Sequence, residues 1–439
     1  MTRRFTQHAG VAVGLALTAI ALTACGSSGS SETSEDKADS SSVTVDFWGW
    51  APGYAEAVEA YNASHPDAKV TFTTTPPGSK GGYTKMFSAV KSGNGPCLAQ
   101  VGYESLPSFM VEGALMDVAK YTGDTKSQFV DWSWNQVKLG DAVYGVPLDT
   151  GPMAMYYRKD VFEKHKIPVP ATWDAFRSAA EQLHKADPKA YIANLAPGPD
   201  YNLAGLSWQN GGKWFSIEGD AWKVDVDGPK TQQVVSYWQD LADRGLVTKD
   251  EAFGPKFFKN LQDGKVATWV SAVWASPIIQ ENAKASAGKW AVAPMPQWTP
   301  GGKAFGNEGG SSTAVLKGCK NPEKALEFAT WLSTAPESLK ILIPKTGIYP
   351  ASKAGLEMPE VNKAEPFFGG QKIYDVFRES AAGTDTSWQW GPATTQMTAD
   401  LNDAFGKALT SGGSLGGAMD QTQKKTVDGL RAKGLTATE

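Results

Sequence analysis

The stretch DAVYGVPLDTGPMAMYYRKDVFEKHKIPVPATWDAF, residues 141–176, decides how the rest of the chain is organised. Gly140 and Asp141 signal a turn. Val143, Tyr144, Val146 and Leu148 then lead to Met153, Met155 and Tyr157, an alternating apolar run, so strand patterning lies on both sides of Gly151 and Pro152. Residues 159–166 have the spacing of a short amphipathic helix closed by a Pro-rich turn, and Thr172 caps a further helix that opens with Trp173, Asp174 and Phe176. On this reading a strand that closes one structural unit is followed by a strand and helix that open another.

Upstream, residues 43–50 (VTVDFWGW) alternate apolar and polar and predict a first strand, and residues 54–64 have helical spacing ended by His65 and Pro66. A strand at 69–75, a helix at 83–92 stopped by Gly93, and a strand at 98–102 follow. Strand, helix, strand, helix, strand at this spacing predicts an α/β unit with a mainly parallel sheet, whose ligands bind beyond the carboxyl ends of the strands. Trp48, Trp50, Tyr103 and Glu104 fall there. Downstream, residues 173 to about 282 read as mainly helical, residues 289–295 as a strand, and residues 321–333 as an amphipathic helix with an Asn N-cap and Pro start.

The N-terminus carries Arg3 and Arg4, an apolar run at 11–22 too short to span a membrane comfortably, and then Leu-Thr-Ala-Cys ending at Cys25. Residues 26–42 are Gly, Ser, Thr, Asp, Glu and Lys with almost nothing to bury, a tether that would reach roughly 55 to 60 Å if extended. In an exported chain two leftover cysteines pair more often than they stay free, which predicts a Cys97–Cys319 disulfide over two buried thiols.

With 439 residues, 41% of them hydrophobic, the chain can bury a large core and divide into two domains. Its net charge of -4 gives no basic excess for tracking phosphates, which argues against nucleic acid as a partner. Beyond residue 25 the histidines are His65, His165 and His184, none at ligand spacing, so no metal site and no cofactor is expected. Neither a G-x-S-x-G elbow nor a phosphate-binding loop of the P-loop form is present. Two carboxylates suited to glycoside hydrolysis could arise from any chain with this many Asp and Glu, and that reading ranks last. The 16 tryptophans are the unusual feature, since an indole lies flat against the apolar face of a sugar ring while its N–H stays available.

The run Tyr144 to Pro147, then Tyr157, Lys159, Asp160 and Phe162, then Pro170, Thr172, Trp173 and Asp174 resembles the crossover of the extracellular solute-binding proteins (family 1, maltose-binding-protein-like) that serve carbohydrate ABC importers. Arg158 departs from it, standing where many relatives carry Asn. The end at Cys25 resembles a bacterial lipobox, in which that Cys is lipidated. The resemblance implies a two-domain periplasmic-binding-protein-like α/β fold of class II type, each lobe a mainly parallel sheet flanked by helices, with three crossovers near 148–153, 301–306 and 347–351. The parts would be a signal peptide (1–25), a tether (26–42), an N-terminal lobe (43–150 with 303–348) and a C-terminal lobe (151–302 with 349–439).

The resemblance also implies a role. A monomeric, non-enzymatic receptor at the cell surface, lipid-anchored to the outer face of the cytoplasmic membrane, would capture a di- or oligosaccharide and deliver it to an ABC permease. Residues 263–274 (DGKVATWVSAVW) resemble the family motif whose last Trp stacks on sugar, here Trp274, with Ala272 and Thr268 in place of the usual Gly and Met. Residues 206–215 resemble a loop that places an aromatic at the cleft, with Trp208 preferred over Trp214. Residues 307–314 put Gly beside Glu308 and Ser311, and the W-x-W-G-P run at 388–392 offers Trp388 and Trp390. Glu104, Asp149 and Glu308 would accept sugar hydroxyls. A receptor for a peptide, polyamine or iron complex is the competing class. Polyamine sites need several carboxylates and iron sites favour paired Tyr or His, whereas this set is rich in Trp.

Overall fold

The computed structural model describes residues 43–439; the expected signal sequence, Cys25 and the tether lie outside the described residues. Among the described residues eight strands form one sheet: β1 (Val43–Gly49), β2 (Ala68–Thr74), β3 (Leu98–Gly102), β4 (Gly145–Arg158), β5 (Thr268–Ala272), β6 (Trp290–Ala293), β7 (Asn307–Val315) and β8 (Tyr349–Pro350). Their order is β5-β4-β7-β3-β1-β2, with β6 and β8 also pairing β4. β2, β1 and β3 are parallel, linked by the helices Tyr54–Ser64 and Gly82–Lys91. β7 runs antiparallel to β3 and β4, and β5, β6 and β8 run antiparallel to β4.

β4 differs from the sequence reading at Gly151 and Pro152. There is no break there: one 14-residue strand continues through both, every residue buried except the half-buried Tyr157. Its first half borders β7 and β8, and its second half borders β5 and β6. The strand stays extended because its backbone groups find substitutes for ladder bonds. Gly151 N donates to Asn307 Oδ1 at 2.8 Å, Pro152 has no N–H to satisfy, and the Pro152 carbonyl accepts from Val273 N at 3.1 Å. Residue 151 must be Gly, since a Cβ would lie 1.9 Å from the Glu308 carbonyl oxygen.

The segments around the three expected crossovers are neighbours in this sheet: Asn307 pairs with Pro152, Tyr349 with Thr150, and Pro350 with Asp149. Around β5 and β6 the helices Trp173–Ala186, Pro229–Asp243 and Pro255–Asp263 alternate with short strands. A hairpin at Phe215–Glu218 and Ala221–Val224 and a parallel pair, Ala193–Asn194 with Val247–Thr248, interrupt what reads in sequence as a helical stretch. Arg158 is buried and holds Asp160 through two bonds of 2.8 and 2.7 Å. Its Nη1 also donates to the carbonyls of Leu261 and Gln262, both at 2.8 Å, closing the end of the helix Pro255–Asp263. Cys97, just before β3, and Cys319, just past β7, are joined by a disulfide across 222 residues of sequence.

Candidate ligand-binding site

The adjoining parts of β4 and β7 place two buried carboxylates. The β7 register shifts between Asn307 and Gly310, and Gly309 and Gly310 take φ values of 76° and 94°, so the bulge re-aims Glu308 out of the strand alternation. Glu308 Oε2 accepts from Asn202 Nδ2 at 3.0 Å and from Ser271 Oγ at 2.9 Å, while the Glu308 carbonyl accepts from Trp274 Nε1 at 2.9 Å. The helix Asp200–Gln209, which carries Asn202, reaches β7 because Gly205 and Gly306 meet without side chains: a Cβ on Gly306 would lie 2.0 Å from the Gly205 oxygen. Asp149 Oδ1 accepts from Ser311 N and Oγ at 2.8 and 2.7 Å. Burial pushes its carboxyl up to about 6 despite those two bonds.

Past the end of β3, Tyr103 and Glu104 are both buried. Glu104 Oε1 accepts from Tyr83 Oη at 2.8 Å and from Ser105 Oγ at 3.2 Å, and Tyr83 Oη in turn accepts from Gly102 N at 2.9 Å. Burial pushes Glu104 up to about 7, with the Tyr83 and Ser105 bonds opposing it. Neither Glu104 nor Asp149 is paired with Lys or Arg among the described residues. Trp50 is half-buried with its ring edge-on to Tyr83 at 5.8 Å. Trp48 is also half-buried, but its ring lies under the Lys85 ammonium at 4.6 Å.

Trp208, Trp388 and Trp390 come together. Trp208 stacks on Trp388 at 4.7 Å and 8°, and Trp390 stands edge-on to both. Trp208 occupies the last turn of the helix Asp200–Gln209, not the loop that its resemblance suggests, and donates Nε1 to the Asp385 carbonyl at 2.8 Å. Trp132, on the helix Asp131–Gln136, bridges this group to the β3 end: its ring lies 6.0 Å from Trp208 and 6.3 Å from Tyr103, both edge-on. Tyr103 Oη, Trp132 Nε1 and Trp388 Nε1 are buried donors with no acceptor among the described residues, a costly state for polar groups.

Trp274 belongs to a different group. It is half-buried, just after β5, with its ring 6.1 Å from Phe253 and 6.3 Å from Trp269. Beside it a cavity of about 70 Å³ is lined by Glu308, Asn202, Phe253 and Trp269 among others. Sequence reasoning missed Tyr83, Trp132, Asn202, Ser271 and Phe253. A Trp at 132 inside DWSW was a visible signal, whereas Asn202 and Ser271 are ordinary polar residues until the fold sets them on Glu308. No group of three or more His, Cys, Asp or Glu among the described residues could hold a metal ion. The arrangement brings together aromatic rings, carboxylate acceptors, and indole and phenol donors with no acceptor among the described residues, chemistry suited to a neutral ligand rich in hydroxyls.

The comparisons agree with this chemistry. The lactose-binding protein of Rhizobium radiobacter is 26% identical over 359 residues, 76% of this chain and 81% of that one. The binding protein associated with an ABC transporter of B. animalis subsp. lactis Bl-04, solved with β-1,6-galactobiose, superposes with a TM-score of 0.82 at 28% identity, covering 90% of this chain and 99% of that one. The galacto-N-biose/lacto-N-biose I-binding protein of Bifidobacterium longum, solved with lacto-N-biose, gives a TM-score of 0.81 at 29% identity with the same coverage. Residues 49–337 match the family described as bacterial extracellular solute-binding protein, and the chain belongs to that family.

Proposed function

We propose that this protein is the sugar-capturing receptor of an ABC importer and that its ligand is a di- or oligosaccharide. The observation that supports the reading is that stacked indoles, buried donors with no acceptor among the described residues, and Glu104 and Asp149 with no Lys or Arg partner among the described residues occur in one fold whose segments at 149–152, 307 and 349–350 pair as neighbouring strands. Relatives named for lactose and arabinooligosaccharide, and neighbours solved with galactobiose and lacto-N-biose, support the ligand class. Lobes of 43–150 with 303–348 and 151–302 with 349–439 would close about those segments. Trp274, Trp208, Trp388 and Trp390 would present rings to the sugar from one lobe. Trp48, Trp50 and Tyr103 would present theirs from the other. Glu104, Asp149 and Glu308 would accept its hydroxyls, and Tyr103 and Trp388 would donate to its oxygens.

The ligand favours a closed form only through contacts made in that form. Micromolar affinity corresponds to about -8.2 kcal/mol, within reach of a few stacked rings and charge-assisted hydrogen bonds after ordering losses. Lipidation at Cys25 would hold the receptor on the outer face of the membrane, the tether would let it search for its permease, and no step of catalysis is involved. A thermal-shift screen against saccharides, peptides, polyamines and iron complexes tests the reading. Saturating saccharide should add about 2.7 kcal/mol at a concentration 100 times Kd and raise Tm by several degrees. Stabilisation by a peptide, polyamine or iron complex and by no saccharide would overturn it.

A further inference from the structure

Phe253 is one of two non-glycine residues with positive φ among the described residues, at 62°, a conformation that a bulky side chain rarely adopts. The residue is nevertheless 43% exposed. Strain that bought core packing would be ordinary; here it holds an apolar ring partly in water, 5.9 Å from Trp269 and 6.1 Å from Trp274. The ring stands between two concavities and lines both. On one side is the cavity lined by Glu308 and Asn202. On the other is a groove of about 350 Å³ lined by Phe253, Pro255, Phe258, Lys259, Gln262 and Asn282, between the helices Pro255–Asp263 and Ala275–Asn282.

The groove has two rings and a proline for the apolar face of a pyranose. An ammonium and two amides along its edge serve hydroxyl groups, and its volume is within the range of small-molecule sites. We propose that it is an outer subsite of the sugar site. It would receive the residues of a saccharide beyond those held at Trp274 and Glu308, with the Phe253 ring as the platform between. The inference rests on the proposed sugar-binding reading and goes further: it predicts a preference for longer chains. Continuity through Phe253 is the reason for assigning the groove to the same saccharide and not to a separate ligand.

Calorimetric titration of the purified protein with a di-, tri- and tetrasaccharide of one linkage series tests this. Wild type should bind the trisaccharide at least fivefold more tightly than the disaccharide. Phe253→Gly removes the ring while accepting the positive φ, so folding is not endangered and Tm should hold or rise. In this variant the tri- to disaccharide affinity ratio should fall to near one, Phe253→Tyr should restore it, and Asn282→Ala should lower it. A wild-type ratio near one, or a ratio unchanged in Phe253→Gly, overturns the subsite while leaving the receptor reading intact. Failure of every saccharide to bind overturns both.

Discussion

Glu104 illustrates what a single buried residue does to the whole protein. Burial raises its carboxyl from 4.5 to about 7, so the folded chain holds that proton more tightly than the unfolded chain does. Its contribution to stability is therefore greatest below pH 4.5, declines as pH rises towards 7, and is flat above. The shift corresponds to on the order of 3 kcal/mol at 1.36 kcal/mol per unit. Urea unfolding of wild type and Glu104→Gln at pH 5 and pH 8 should show the stability difference between the two proteins moving by that order, in favour of the variant at pH 8. A difference that does not change with pH would contradict the burial of an ionisable group there. At this scale a motif singles out Trp274 in DGKVATWVSAVW, and the fold places it half-buried just past β5 with its Nε1 donating to the Glu308 carbonyl. The sequence was silent where conformation carried the residue: nothing in Phe253 announces a positive φ, since no glycine stands there to mark it.

At the scale of elements, the strands and helices of residues 43–102 were legible because apolar alternation and cap residues are local signals. The continuity of β4 was not, because the acceptor that replaces its ladder bond at Gly151 is Asn307, 156 residues away. The β7 bulge was equally hidden: two glycines suggest a turn, and only the partner strands make them a bulge that aims Glu308. The Cys97–Cys319 bond ties the start of β3 to the end of β7, two neighbouring strands that are far apart in sequence. Closing so long a loop restricts the unfolded chain strongly. Replacing both cysteines by Ser should lower the unfolding free energy by about 2–5 kcal/mol in urea titrations. Stability equal to wild type would show that the bond constrains nothing the sheet does not already fix.

At the scale of the whole molecule, residues from distant parts of the chain meet in two groups, one joining Tyr103, Trp132, Trp208, Trp388 and Trp390 and the other joining Glu308 and Trp274. Tyr103 and Glu104 follow β3, Glu308 lies on β7, Trp208 ends a helix, Trp274 follows β5, and Trp388 and Trp390 precede the helix Thr394–Ser411. The two-lobed α/β class was legible from the order of elements and the crossover run. How the indoles divide was not, because the same spacing serves a core ring and a ligand-facing ring alike: Trp208, Trp388 and Trp390 are only 3%, 2% and 5% exposed. On the proposed function a saccharide is held between side chains of both proposed lobes. Calorimetric titration with the best saccharide at pH 8, where Glu104 is mostly ionised, tests it most directly on wild type, Glu104→Gln and Trp274→Ala. Wild type should show one saturable site and each variant affinity at least tenfold weaker, with Tm showing both variants to be folded. Undiminished affinity in either folded variant would mean that the sugar is not gripped from both sides.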